Sequence, residues 1–367
     1  MITDQELINR IALTLIPGIG DVLVKKLIAI CGSVEAVFAE KQDLLIRIPR
    51  IGAVQAKSIV SKDTLSRAEK ELKFIQHYSI QPLFYLDDAY PERLKQCEDN
   101  PTMIYYKGTE DLNHLRPLAV VGTRRVTEYG KIECKKIIDG LSPFEPLIVS
   151  GLAYGVDTCA HKTAIDNGIP TIGVLGHGLD RIYPYQNKQL AGRMVNQGGL
   201  VTEFISETKP DAENFPRRNR IIAGLCDAVV VIEAGLKGGA LITADIANSY
   251  NRDVFALPGR VTDPFSQGCH FLVKTNRAAL IENAADLVFA LGWEPILNGK
   301  APQLKLFEDL SSDETKMVDI LKEKGDSSID TMVADSKMTS GNVASVLLNL
   351  EFKGVIKLLP GKVYRLI

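Results

Sequence analysis

Several features that would fix a function at once are scarce in this chain. The six cysteines, Cys31, Cys97, Cys134, Cys159, Cys226 and Cys269, stand far apart and form no CxxC pair. That excludes a zinc knuckle or a disulfide framework and leaves reduced thiols of the cytoplasmic kind. No apolar run approaches the ~20 residues of a membrane span, and the opening MITDQELINR lacks the basic-then-apolar pattern of a signal peptide. A cytoplasmic protein with no membrane partner is expected. Excess charge is missing too. With 43 Lys and Arg against 45 Asp and Glu, the net charge is −2, so a nucleic-acid surface has to be a local patch offset elsewhere. Cofactor motifs are equally absent. There is no GxxxxGK[ST], no GxSxG elbow and no HExxH helix. Gly176-His-Gly178 meets Arg181 where a dinucleotide fingerprint needs its third glycine, and Gly18-Ile-Gly20 meets Leu23 without a preceding strand. No cofactor, no metal and no catalytic residue is therefore expected.

What is present is an ordinary globular composition, 46% hydrophobic and 24% charged, over 367 residues, which is long enough for two or three domains. Residues 1–75 hold an internal repeat. The stretch from Leu15 to Ile28 lines up with Arg47 to Val60 at a period of 32, each copy turning at Pro and Gly between apolar helices. The pair resembles a helix-hairpin-helix, or SAM-like, domain. Gly18 and Gly20 would expose backbone N–H groups at a helix start, suited to phosphate. Arg50 replaces Gly18 in the second copy, so packing alone is an equal reading.

Residues 76–292 alternate short β-rich runs with helical stretches. Strands are expected at 118–122, 147–151, 171–176, 200–204, 228–234 and 254–259, with helices at 128–138, 157–167, 187–196, 220–226 and 241–250. Runs such as Ala228-Val-Val-Val-Ile suit strands buried on both faces. The fold class is thus α/β, an extended Rossmann-like, doubly wound, mostly parallel sheet. Residues 293–312 read as a linker. The segment 313–367 offers helices at 313–324, 328–336 and 339–353, then a hairpin turning at Pro360-Gly361, the pattern of a winged helix. Its recognition helix would carry Lys353 and Glu351 as its only charges, which leaves protein contact open beside DNA reading.

Ligands of an open parallel sheet bind beyond the carboxyl ends of its strands. This chain places Gly122-Thr-Arg-Arg125, Ser150-Gly-Leu-Ala-Tyr-Gly155, Gly176-His-Gly178 and Gly235-Leu-Lys-Gly-Gly239 there, with Asn214-Phe-Pro-Arg-Arg-Asn-Arg220 opening a helix nearby. Glycines admit an oligoanion to the backbone, helix starts supply N–H groups, and Arg124, Arg217, Arg218 and Lys237 add charge. Phe215 beside Arg217 is the aromatic–cation pair of single-strand binders, and Tyr154 could stack likewise. Each residue also has a plainer role. Asp157 reads as a helix N-cap, Ser150 as a cap or a ligand contact, and Phe215 as core or stacking face. His161 and His177 lack a partnered carboxylate, and Arg220 with Asn219 would meet acidic or backbone groups at a helix start.

At these residues the chain resembles the DNA-processing protein A (DprA/Smf) family. The matching segments run in order: Tyr90-Pro91, Pro101, Tyr105-Tyr-Lys-Gly108, Val121-Gly-Thr-Arg124, Ser150-Gly-Leu-Ala, Gly155-Val-Asp157, Gly178-Leu-Asp180, Tyr183-Pro184, Phe215-Pro-Arg-Arg-Asn-Arg220, Leu241-Ile-Thr-Ala244 and Ala256-Leu-Pro-Gly259. The resemblance implies a homodimer that binds single-stranded DNA, displaces single-strand binding protein and loads the RecA recombinase in natural transformation. It implies a DNA pocket lined by Gly122, Arg124, Ser150, Gly151, Phe215, Arg217, Arg218, Asn219, Gly238, Gly239 and Thr243. Two departures stand out. Tyr154 occupies a position that is often basic in the family, and the stretch around Gly268-Cys-His and Thr275-Asn-Arg differs from the usual pattern. Two other functions remain conceivable from sequence. One is an enzyme acting on a nucleotide or phosphorylated metabolite, with Asp157, Asp180 or Glu233 as the acid–base group. The other is an adaptor working through the winged helix and hairpins.

Overall fold

The computed structural model describes residues 2–295, 310–353, 355–359 and 363–366 and divides into two compact units, Met1–Ile296 and Leu297–Ile367. Most of the expected linker and the Pro360-Gly361 turn lie outside the described residues.

The first unit is built on a nine-stranded sheet: β1 (Gln81–Phe84), β2 (Met103–Gly108), β3 (Pro117–Val121), β4 (Leu147–Ser150), β5 (Thr171–Val174), β6 (Gly198–Thr202), β7 (Ala228–Val231), β8 (Asp253–Ala256) and β9 (Ala279–Leu280). Their order is β1-β2-β6-β5-β4-β3-β7-β8-β9. Every pairing among β3 to β9 is parallel, while β2 runs antiparallel to both β6 and β1. The chain winds outward from β3 through β4, β5 and β6, then returns to lay β7 on the other side of β3. The expected doubly wound sheet is thus observed. The strands end one to three residues earlier than hydrophobicity suggested, because the apolar run continues into buried loop. Strands β1, β2 and β9 carried no sequence signal that was read. In β1, Pro82 argues against a strand, yet β1 is the sheet edge, where a missing N–H can be tolerated.

Residues alternate between two buried faces along the central strands. Leu118 and Val120 of β3 join Ala228 and Val230 of β7 on one side; Ala119, Val121, Val229 and Val231 point to the other. The first face is covered by helices that follow β3 and β4. The second is covered by those that precede and follow β7.

Six helices come before the sheet: α1 (Asp4–Thr14), α2 (Asp21–Cys31), α3 (Val34–Ala39), α4 (Gln42–Leu45), α5 (Ala53–Ser61) and α6 (Leu65–His77). The repeat is real in three dimensions. Gly20 and Gly52 are the N-caps of α2 and α5 with matching φ of −92°, and Gly18 and Arg50 both sit at φ 75°. Arg50 therefore accepts a left-handed conformation that glycine supplies without strain. These helices share one core with Phe84, Met103 and Tyr105 of the sheet. The first hairpin is not an open phosphate seat. Asp21, the first residue of α2, accepts hydrogen bonds from the Thr102 N–H at 2.7 Å and from Arg220 at 3.0 Å. Burial pushes its carboxyl up, but those two partners more than offset this and hold it below the ordinary range. A carboxylate already occupies the positive end of the helix, and the hairpin serves as an attachment to the sheet.

Among the described residues the second unit holds three helices, Ser312–Lys324, Ile329–Ser336 and Ser340–Phe352, with strands Ser327–Ser328, Ile356–Leu359 and Val363–Leu366. Ser311 and Glu314 form a reciprocal capping box at the first helix. Met317, Leu321, Met332, Val343, Leu347 and Leu350 fill the core. This is the expected winged helix.

Candidate nucleic-acid interface

The site grows around one helix. Its neighbours are named in chain order: α7 (Glu92–Lys95), α8 (Glu128–Leu141) after β3, α9 (Val156–Asp166) after β4, α10 (Lys188–Asn196), α11 (Asn214–Gly224) before β7 and α12 (Gly239–Ser249) after it. The α11 helix begins at Asn214, six residues before the start read from periodicity. Pro216 is at home there, because the first turn has no intrahelical N–H to lose. The whole Phe215-to-Arg220 motif is therefore helical, and its side chains fan out by position.

Phe215 is half-buried, and the Arg124 guanidinium stands over its ring at 5.3 Å from the centroid. Arg217 is more than half exposed; it reaches Glu203 at 3.1 Å and lies over the Phe204 ring. Arg218 points inward and donates to the Val174 carbonyl at the end of β5. Gly151 is what makes that possible, since a Cβ there would lie 2.5 Å from the guanidinium. Burial pushes the Arg218 pKa down to about 10, with Asp157 opposing and Arg124 adding to the fall; it remains a cation at neutral pH. Asn219 donates to the Gly239 carbonyl at 3.3 Å, where the Thr243 hydroxyl also donates at 2.9 Å. This fastens the exposed loop of Lys237, Gly238 and Gly239 to α11. Arg124, over the Phe215 ring, and Arg217, on the helix itself, thus meet at the first turn of α11, with the Lys237-bearing loop fastened to the same helix through Asn219.

Other expected residues face the interior. Ser150 is fully buried and its hydroxyl donates to the Val120 carbonyl at 2.6 Å, so it presents no hydroxyl to a ligand. Gly122 permits close packing, because a Cβ would strike Val156 at 2.4 Å. Asp157 is not the N-cap of α9. Gly155 holds that position, while Asp157 lies in the first turn and accepts from the Ala153 N–H at 3.2 Å. Burial raises its pKa against the pull of Arg218. His161 is paired with Thr171 Oγ1 at 2.7 Å, and His177 with the Gly178 carbonyl and the Tyr183 N–H. Tyr154 is exposed, and its hydroxyl donates to Gln186 at 2.5 Å. Arg220 meets Glu203 at 2.6 Å and Asp21 at 3.0 Å, the acidic company at a helix start that was expected. Glu203, missed in the sequence, is the shared counter-ion of Arg217 and Arg220. It sits just past β6, where an acidic residue after an apolar run reads as solvent-facing.

The crevice between β3 and β7, where the winding reverses, is the usual seat of a dinucleotide phosphate. Here Glu233 fills it. Its carboxylate accepts from the Thr127 N–H at 2.9 Å and the Thr127 hydroxyl at 2.5 Å, and Gly130 leaves it room. The start of α8 is thus already neutralised by a protein carboxylate. The pocket lined by Arg124, Gly151, Tyr154, Tyr183, Phe215 and Arg218 lies instead over β3, β4 and β5. Its volume is about 30 Å³, against the ~300 Å³ or more of a small-molecule site. A chain of phosphates laid along a shallow edge fits this shape, and an engulfed nucleotide does not. Among the described residues no cluster of three or more His, Cys, Asp or Glu side chains could hold a metal, and no helix is long and apolar enough to cross a membrane.

Comparison with known proteins agrees with this architecture. The family model described as DNA recombination-mediator protein A matches residues 81–292, a SAM-like helix-hairpin-helix tandem matches 11–62, and a DprA winged helix domain matches 306–362. The chain is 42% identical to DNA processing protein DprA of Streptococcus pneumoniae over 219 residues, 60% of this chain and 75% of that one. It is 35% identical to protein Smf of Escherichia coli over 325 residues, 83% and 85% of the two chains. The X-ray structure of the Streptococcus pneumoniae protein superposes with a TM-score of 0.69 at 35% identity, covering 80% of this chain and 99% of that one. A Helicobacter pylori DNA processing protein A, solved for its single-stranded DNA binding mode, does so with a TM-score of 0.54 at 28% identity, covering 59% and 99%. Domain order, sheet topology and the matched segments lead to one assignment: the chain belongs to the DNA recombination-mediator protein A family, also called DprA/Smf.

Proposed function

We propose that this chain binds single-stranded DNA along the α11 edge of its sheet and does no chemistry on it. In that role it protects incoming strands, displaces single-strand binding protein and loads RecA during natural transformation, acting as a homodimer. The observation that supports the reading is the partly buried Phe215 ring with Arg124 over it and the exposed Arg217 two residues along the same helix, over Phe204. A flat apolar face takes a base while nearby cations take the backbone, and neither contact depends on base identity. The Helicobacter pylori relative, solved for single-stranded DNA binding, supports the same direction. Commitment of Glu233 to Thr127 argues for binding over acid–base chemistry, because the crevice then lacks a free carboxylate. RecA, single-strand binding protein and the second copy enter through family membership.

A salt titration of oligonucleotide binding tests the core of this proposal. Single strands should bind more tightly than duplex, with an affinity that falls steeply with salt. Arg124→Ala and Arg217→Ala should each weaken binding about tenfold or more and flatten the salt slope by roughly 0.7 per lost phosphate contact. Parent-like affinity in both variants would show that the edge is not the interface.

A further inference from the structure

Beside the α11 edge lies a loop whose aromatic side chains are largely exposed. Between β5 and α10 the chain passes through Tyr183, Pro184 and Tyr185. Tyr183 is 47% exposed and Tyr185 73% exposed. Solvent-facing aromatic rings in a cluster mark contact surfaces rather than core. Yet the backbone that carries them is held at three points. The Tyr183 N–H donates to His177 Nε2 at 3.3 Å. Asn187, itself buried, donates to the Leu152 carbonyl at 3.0 Å and to Thr158 Oγ1 at 2.9 Å. Gln186 accepts from the Tyr154 hydroxyl. The loop is tied to the ends of β4 and β5 while its rings stand free.

Two distances give the rings a use. Tyr183 and Phe215 lie with centroids 6.0 Å apart and planes tilted by 41°. Tilted rings at this separation are in direct contact, so Phe215 and Tyr183 form one continuous aromatic surface leading away from α11. Further out, Lys188 Nζ lies 5.6 Å from the Tyr185 centroid, a second aromatic–cation pair of the kind formed by Phe215 and Arg124.

From these contacts we propose that residues 183–188 continue the single-strand track away from α11. One unpaired base stacks on the exposed part of Tyr183, the next stacks on Tyr185, and Lys188 meets the phosphate joining them. The assignment rests on the single-strand reading above and adds to it a direction and a second stacking station. It also gives Tyr154 a part distinct from direct stacking: its hydroxyl holds Gln186 and so steadies the station.

The test is fluorescence anisotropy of the full chain with labelled oligo-dT of increasing length, within the ~4–16 nucleotides of comparable single-strand sites. Tyr185→Ala should weaken binding about fivefold or more, the effect of losing one stacked base at ~1–3 kcal/mol, on long oligonucleotides and not on the shortest that bind. Tyr185→Phe should bind like the parent, since the face and not the hydroxyl is used. An oligonucleotide abasic along the stretch that meets Tyr185 should bind the parent and Tyr185→Ala equally. If Arg124→Ala weakens binding but Tyr185→Ala does not at any length, this track is wrong and the α11 site stands. If the parent itself fails to prefer single strands, the underlying reading fails first. A Tyr185→Ala loss that persists with the abasic strand would overturn base stacking as its cause.

Discussion

Arg218 illustrates how a single residue shapes the cradle without facing its ligand. It is 6% exposed, held against Gly151 and bonded to a strand-end carbonyl, so its charge acts through a low-dielectric layer just under the surface. The imidazole beneath it has to stay neutral for this to work. Burial, and then the nearby Arg218 charge, push the His161 pKa down to about 3 from an ordinary 6.5. Because the folded value is the lower one, the unfolded chain takes up a proton first as pH falls. Stability from this residue is therefore complete above about pH 6.5 and is lost progressively as pH drops towards 3. By pH 5 the loss is about 2 kcal/mol, at ~1.4 kcal/mol per unit over the intervening range. Denaturant unfolding at pH 7.5 and pH 5 should show it in the parent and not in His161→Gln, whose amide can still reach the Thr171 hydroxyl. Equal acid losses in both proteins would remove His161 from the account. Comparison with the variant is needed because Asp157, whose pKa is raised, shifts stability with pH in the opposite sense.

At the scale of elements, α11 joins the helical region to the sheet as well as carrying the site. Arg220 meets Glu203 from β6's exit and Asp21 from the start of α2, and burial of its guanidinium is more than offset by those two carboxylates, which hold its pKa above the ordinary value. Glu203 Oε1 has no partner among the described residues, so little slack remains. Arg220→Ala leaves Asp21 without its ion-pair partner and Glu203 with only the more exposed Arg217, and should cost about 3 kcal/mol. The single tryptophan, Trp293, belongs to this unit and reports its unfolding. A change under about 1 kcal/mol would mean that the ion cluster is solvated and the helices are held by their apolar core alone. Much of this level was readable in the chain. Two-sided apolar runs gave the parallel strands, and the 32-residue repeat gave the paired hairpins. What could not be read was direction. Ser150, Gly122 and Gly151 occur at strand ends, as phosphate cradles require, but the same small residues are what a closely packed helix requires. Only the fold separates Ser150, spent on the Val120 carbonyl, from Gly238, which is open to solvent. The edge strand β1 was hidden by Pro82, and Glu203 by the habit of reading a lone acidic residue as exposed.

Across the whole molecule, a net charge of −2 has to be reconciled with the proposed binding of a polyanion, and the two units differ. In the first, Arg124, Arg217 and Arg218 gather around the aromatic rings at the α11 edge. In the second, the last helix, Ser340–Phe352, contains no lysine or arginine at all. Lys353, at its C-cap, is paired with Glu314 at 2.8 Å. A helix without lysine or arginine gains nothing from counterion release and offers little to the base edges of a major groove. It exposes apolar side chains instead: Leu348 is 52% exposed and Phe352, one turn on, 82%. Such a face suits a protein contact better than a nucleic-acid one. The full chain carrying Leu348→Ser and Phe352→Ser together should then bind oligo-dT within about twofold of the parent, with an unchanged salt slope, because no phosphate contact has been removed. A loss of tenfold, about 1.4 kcal/mol, would make the winged helix part of the strand-binding surface and require the single-strand path to leave the first unit.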